Sequence, residues 1–152
     1  MKYLKIYEEF FEGWDEITPE EWYDSKMKNQ PFDETEYDTL VNFCIDNDKY
    51  KKGGQEYELD YDYINPNKMG YGYHSGGRAW RFTILKYGKF IDNYERYTAE
   101  HTTLMLFKKK ESDDNKDLYF LSCEDHSTSR WKYFECDRFQ DLMTLVKKHL
   151  DL

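Results

Sequence analysis

The residues best placed to do chemistry are four carboxylates in the run Gln55–Ile64, QEYELDYDYI. Glu56, Glu58, Asp60 and Asp62 fall on one parity, and Tyr57, Leu59, Tyr61 and Tyr63 on the other. A period of two predicts a strand with two unlike faces. At a rise of roughly 3.3 Å per residue the acids would stand about 6.5–7 Å apart, of the same order as phosphates along one nucleic-acid strand. A row of this kind can enter a lysine- and arginine-lined groove built for nucleic acid, and charge would steer the encounter. Glu34, Glu36, Asp38, Asp46 and Asp48, on a helix just upstream, would extend the acidic surface. Tyr61 and Tyr63 would anchor the contact if they lie outside the core. The competing reading is an edge strand charged to discourage pairing with another chain.

The other constellations are weaker. His101-Thr102-Thr103 and His126-Ser127-Thr128 give two H-x-T triplets. Paired H-x-T triplets resemble the two-histidine phosphoesterases, where both imidazoles face one phosphate as acid and base. Only 25 positions separate the two histidines here, and the second triplet lies in a loop. Met69–Arg78, MGYGYHSGGR, is rich in glycine and could turn backbone N–H groups toward a phosphate. It lacks the Walker lysine and the dinucleotide spacing. His74 and Arg78 are its best pair for a small anion. Asp113, Asn115 and Asp117 imitate the start of a calcium loop, without its glycine or its final glutamate. The four histidines are scattered, so neither a metal nor an organic cofactor is expected.

The elements that must position these residues read as follows. Thr18-Pro19-Glu20-Glu21 starts a helix that runs to about Lys28. Asp33 with Glu36 has capping-box spacing. Tyr37, Leu40, Val41, Cys44 and Ile45 then form one apolar stripe on a helix ending near Asn47. Lys51-Lys52-Gly53-Gly54 reads as a turn, and the acidic strand follows it. Residues 65–78 form a loop dense in Gly, Asn and Pro. Strands are expected at Arg78–Tyr87, with Gly88 supporting a turn, and at Tyr97–Lys108, Leu118–Cys123 and Trp131–Cys136. A last helix, with Asp137 as its cap, buries Phe139, Leu142, Met143, Val146 and Leu150. Helices, then strands, then a helix predict an α+β fold: N-terminal helices, a mainly antiparallel meander of four or five strands, and a C-terminal helix packed on the sheet.

Composition bounds the rest. The 152 residues suit one domain, 1–152, with 1–13 as an amphipathic arm or short helix that Gly13 ends. Formal net charge is −9. Residues 1–64 hold 18 Asp/Glu against 7 Lys/Arg, a net of −11; residues 65–152 hold 13 against 15, a net of +2. The first half therefore repels phosphate, which argues against a direct nucleic-acid or anionic-membrane binder and favours a basic partner. An acidic surface kept for solubility is the plainer explanation. No apolar stretch approaches the roughly 20 residues of a membrane span, and no secretory signal is expected. Cys44, Cys123 and Cys136 form no CxxC pair and leave an odd one, which suits reduced thiols in a cytoplasm.

Two ends and the middle helix also carry a resemblance. The opening MKYLKIYEEF, the helix start PFDETEYDTL, and the run Tyr133, Phe134, Cys136, Asp137, Phe139, Leu142, Leu145 are similar to small accessory proteins of large tailed bacteriophages, especially those of Bacteroidota. The resemblance supplies no catalytic residues. It implies a protein acting in a bacterial cytoplasm. With the charge, it leads to the expectation of a non-enzymatic inhibitor that blocks a basic, nucleic-acid-binding surface of a host defence protein, of anti-CRISPR or anti-restriction type. The alternatives are an immunity protein that neutralises a toxin, a virion component with residues 1–12 as a docking arm, and the phosphoesterase. Oligomeric state is left open.

Overall fold

A computed structural model describes residues 13–64, 80–89, 97–111, 116–125 and 128–152, with the backbone alone at 64, 89 and 97–101. The N-terminal arm, the glycine-rich loop with His74 and Arg78, the His101 side chain and His126 lie outside the described residues, as do Asp113 and Asn115. The fold is α+β. Helices α1 (Pro19–Met27), α2 (Glu34–Asp46) and α3 (Phe139–Leu150) accompany one antiparallel sheet. Its strands are β1 (Trp14–Glu16), β2 (Asn29–Gln30), β3 (Lys49–Lys52), β4 (Gln55–Ile64), β5 (Arg81–Lys89), β6 (Tyr97–Lys110), β7 (Asp117–Asp125) and β8 (Arg130–Cys136). The order across the sheet is β1-β8-β7-β6-β5-β4-β3, and β2 pairs with β6.

The sheet is larger than the four or five strands expected, because three short strands escape a periodicity test. β1, β2 and β3 hold three, two and four residues, too few to show alternation. β3 exists because Gly53 and Gly54 both take positive φ, +61° and +79°, the conformation of a type I′ hairpin turn. The turn thus begins at Gly53, two residues later than the expected start at Lys51, and Lys51 and Lys52 belong to the strand. Gly88 makes no turn either. It is buried within β5, and the register with β6 shifts between Tyr87 and Lys89.

The two faces of the sheet are covered differently. Leu59, Phe82, Ile84, Leu104, Leu106, Leu121 and Phe134 point to one face, where Leu40 and Cys44 of α2 and Leu142, Leu145, Val146 and Leu150 of α3 close the main core. On the other face Trp22 of α1 packs on Phe107 at 4.6 Å between ring centroids, with Leu118 and Phe120 beside it. The chain passes between faces at β2. This strand pairs with Lys108 and Lys109 of β6, just past the Phe82–Leu106 pairing where the β5–β6 ladder ends.

Local signals set the helix starts. Thr18 Oγ1 accepts the Glu21 N–H at 3.2 Å. The Asp33–Glu36 capping box closes in both directions, at 2.9 and 3.0 Å. Helix α3 departs from expectation. Its N-cap is Arg138, without a side-chain cap, rather than Asp137. The Arg138 guanidinium instead holds Asp141 through two hydrogen bonds. That carboxylate abuts Gly13, whose φ is +77° and where a Cβ would stand 2.4 Å from Asp141 Cγ. Only glycine lets the chain pass here.

Glu36 does more than cap. Its Oε1 accepts Lys108 Nζ at 2.7 Å, and its Oε2 accepts the Tyr119 hydroxyl. Both charged side chains are 8% exposed, and Asp33 and Asp117 each lie 3.8 Å from the same ammonium. Burial first, then the bond to Glu36, pushes the Tyr119 phenol far up. Removing one partner of a buried pair strands the other charge at about 3–5 kcal/mol. Glu36→Leu is therefore expected to destabilise the fold by that order in urea titration, and Glu36→Leu/Lys108→Met to recover part of the loss. The Asp33 carboxyl sits below its ordinary 3.8, chiefly through the Glu36 N–H, with help from Lys108. A depressed acid stabilises above its unfolded pKa and stops doing so as pH falls through the folded value. Asp33→Ala should cost about 1 kcal/mol at pH 7, and the difference from the parent should vanish in the strongly acid limb of the same titration.

Candidate functional site at the acidic edge of the sheet

β4 has the expected bounds, and its alternation is realised in space. Leu59 and Tyr63 face the main core. Tyr63 meets Tyr37 of α2 edge-on at 4.7 Å, and burial, with Tyr37 beside it, pushes its hydroxyl up to about 12. Tyr61 lies parallel to Phe82 at 5.6 Å and stays partly exposed. The tyrosines thus stand on the face opposite the acids, and Tyr63 belongs to the packing rather than to an anchor. Glu56, Glu58, Asp60 and Asp62 share the other face with Tyr87, Leu85 and Thr83 of β5.

The row is not a bare ladder. Lys51 Nζ lies 3.5 Å from Glu56, and Lys49 Nζ lies 4.0 Å from Glu58. These lysines are the cross-strand partners of those two glutamates through the Gly53-Gly54 hairpin. Asp60 Oδ1 accepts the Tyr61 N–H at 2.9 Å. Asp62 sits within the field of Arg81, whose guanidinium is lowered by burial and raised by that carboxylate. The lysines were legible in principle. A two-residue Gly-Gly turn centred between Lys52 and Gln55 pairs Lys51 with Glu56 and Lys49 with Glu58 by counting alone.

What remains open is the far part of the strand. β3 reaches only to Glu58, and its last contact is the Leu59 N–H to the Asp48 carbonyl at 3.0 Å. Among the described residues, Asp60–Ile64 pair with β5 alone. Tyr61 is two positions beyond Leu59, so its N–H also points to the open side, and Asp60 occupies it. A carboxylate on an outward N–H is a device that blunts an edge. The edge-strand reading therefore accounts for Asp60, and cross-strand ion pairing accounts for Glu56 and Glu58.

The acids of α2, with Asp48 just past its end, extend the surface differently from the expectation. Glu34, Asp38, Asp46 and Asp48 are exposed, but Glu36 is buried in its network and presents nothing outward. Helix α2 packs on the core face, so its acids and the β4 row flank the sheet edge from opposite sides instead of forming one plane. Asp48 meets that edge directly, its carbonyl accepting the Leu59 N–H.

The alternatives fare as follows. Thr102 and Thr128 line one hollow, while Thr103 points to the opposite face of β6. The hydroxyls of the two H-x-T triplets, Thr103 and Thr128, therefore lie on different sides of the sheet. Asp117 is engaged with Lys108. Cys44, Cys123 and Cys136 are free and buried, and burial raises their thiols to about 12, 11 and 12. At neutral pH they are protonated, which disarms them as nucleophiles. Among the described residues no helix is long and apolar enough to cross a membrane.

The Lys49–Glu58 and Lys51–Glu56 pairs are mostly exposed on the lysine side. Such pairs contribute little, so Lys49→Ala/Lys51→Ala should shift stability by less than about 1 kcal/mol in a thermal melt. A larger loss would assign the lysines to the fold rather than to charge balance on the row. Comparison with protein-family models, curated proteins and solved structures finds no match to this chain.

Proposed function

We propose that this is a non-enzymatic binding protein whose acidic edge docks onto a basic surface of a host protein, one shaped to hold nucleic acid. The observation that carries the reading is the exposed pair Asp60 and Asp62 on the stretch of β4 that β3 leaves uncovered, with the exposed Asp48 beside it through its carbonyl on the Leu59 N–H. The concentration of charge in residues 1–64, at −11, supports it. Mimicry here is by a cluster wrapped around an edge. It is not a regular four-step ladder, because Glu56 and Glu58 already have lysine partners.

The partner class follows from the chemistry and from the phage resemblance. A nucleic-acid-handling defence enzyme, such as a CRISPR effector or a restriction enzyme, offers a deep Lys/Arg groove in a bacterial cytoplasm. Long-range attraction to such a groove gives fast association that weakens steeply as salt rises, since exposed charges are screened beyond about 8–10 Å at physiological ionic strength. No direct nucleic-acid contact and no membrane is part of this reading.

The experiment is a pull-down from infected cells at low and high salt, using the parent and two reversed variants. Asp46→Lys/Asp48→Lys/Asp60→Lys/Asp62→Lys should lose partner capture at least tenfold while keeping the parent's melting profile. Glu56→Lys/Glu58→Lys, which alters acids already matched by lysines, should lose less. Capture by the fourfold variant at the parent's level, or capture indifferent to salt, would remove the proposal.

A further inference from the structure

A second surface, of opposite charge, lies away from the acidic edge. A hollow of about 430 Å³ opens between the last turn of α3 and the strands β5 to β8. Its floor is a single cross-strand row, Lys86–Thr102–Asp125–Arg130, one residue from each of four adjacent strands. Lys132 belongs to the next row on the same face. Lys148, His149 and Asp151 overhang it from α3, and Thr128 joins from the β7–β8 turn.

The charges of this hollow do not balance. It holds four lysine or arginine side chains against two aspartates. Lys86 is nearly buried and already committed: Asp151 lies 3.1 Å from its Nζ, and the ammonium stands 4.3 Å over the Tyr57 ring. Asp151 is itself fixed, since it ends α3 in the left-handed conformation and its carbonyl accepts Lys52 Nζ. Among the described residues Arg130, Lys132 and Lys148 form no ion pair. Lys148 Nζ lies 5.2 Å over the Trp14 ring. A neighbouring hollow, lined by Trp14, Asp15, Glu16 and Phe134, shares Lys132, Lys148 and His149 with the first, so the cationic surplus belongs to the first hollow and the second brings two carboxylates to its border.

A concave site with a surplus of two positive charges, one planar guanidinium, two flexible ammonium groups and two hydroxyls matches a dianionic oxyanion of small size. The rest of the molecule repels a polyanion, since the whole chain carries −9. We propose that this hollow binds the phosphate group of a small phosphorylated molecule, with Arg130, Lys132 and Lys148 as cationic contacts and Thr102 and Thr128 as hydroxyl donors. The site is independent of the acidic edge, and either can fail without the other.

The test is a titration of the full chain with inorganic phosphate, and in parallel with AMP, followed by amide chemical shifts. Saturable shifts at Thr102, Thr128, Lys132 and His149 are expected with both probes. Tighter binding of AMP would add the Trp14 hollow as the seat of its ring. Arg130→Gln/Lys132→Gln, both on the surface, should weaken phosphate at least tenfold without changing the melting profile. Lys28→Gln, at the C-cap of α1 on the opposite face, should leave affinity unchanged. Shifts that do not saturate, shifts outside the hollow, or an equal loss in Lys28→Gln would overturn the site.

Discussion

The fold depends on one buried carboxylate. Glu36 closes the capping box of α2, accepts the Lys108 ammonium and accepts the Tyr119 hydroxyl. One side chain thereby fixes the first turn of a helix to two neighbouring strands at the centre of the sheet. Lys108 is also a pairing partner of β2, the two-residue strand where the chain changes faces. The network therefore registers the point of crossing. Displace it, and α2 loses its seat on the core over Phe82, Ile84 and Leu104. Charges taken out of water hold only when each is matched, so this site is expected to tolerate little change.

Electrostatic separation is the second theme. The sheet carries an acidic border at β4 and a basic hollow over β5 to β8, and β3 mediates between them. Its odd-numbered lysines, Lys49 and Lys51, turn to the glutamates of β4. Its even-numbered residues turn to the end of α3, where the Tyr50 hydroxyl donates to the Leu150 carbonyl at 2.9 Å and Lys52 donates to that of Asp151. A four-residue strand thus ties down the terminal helix with one face and quenches half of a carboxylate row with the other. The same Asp151 that receives Lys52 also holds Lys86 in the floor of the hollow.

Particular elements mark how far the chain could be read in one dimension. β4 was legible because ten alternating residues leave no other period, and α2 because a capping box precedes a clean apolar stripe. The stripe of α3 was legible too, but not its cap: Arg138 takes that position because Asp141 is drawn to the guanidinium and pressed against Gly13, a contact made across the fold. β1 and β2 were invisible, since a strand of two or three residues is defined by its partner and not by its own pattern. The position of Glu36 was misread for a similar reason. A glutamate at the third position of a helix is ordinarily solvent-exposed, and nothing local announces that Lys108 and Tyr119 wait above it.

By itself the sequence determined the helices and the long strands, the class of fold and the uneven distribution of charge, because capping, alternation and net charge act over a few residues or over the whole chain. Tertiary structure alone decided which charges remain available. Cross-strand register gave Glu56 and Glu58 to lysines, burial took Glu36 inward, and an open edge left Asp60 and Asp62 to solvent. The cationic hollow belongs to the same category: Lys86, Arg130, Lys132 and Lys148 are spread over more than sixty positions and meet only when four strands and a helix end converge. Coulomb interactions depend on distance in space, and that distance is set by packing.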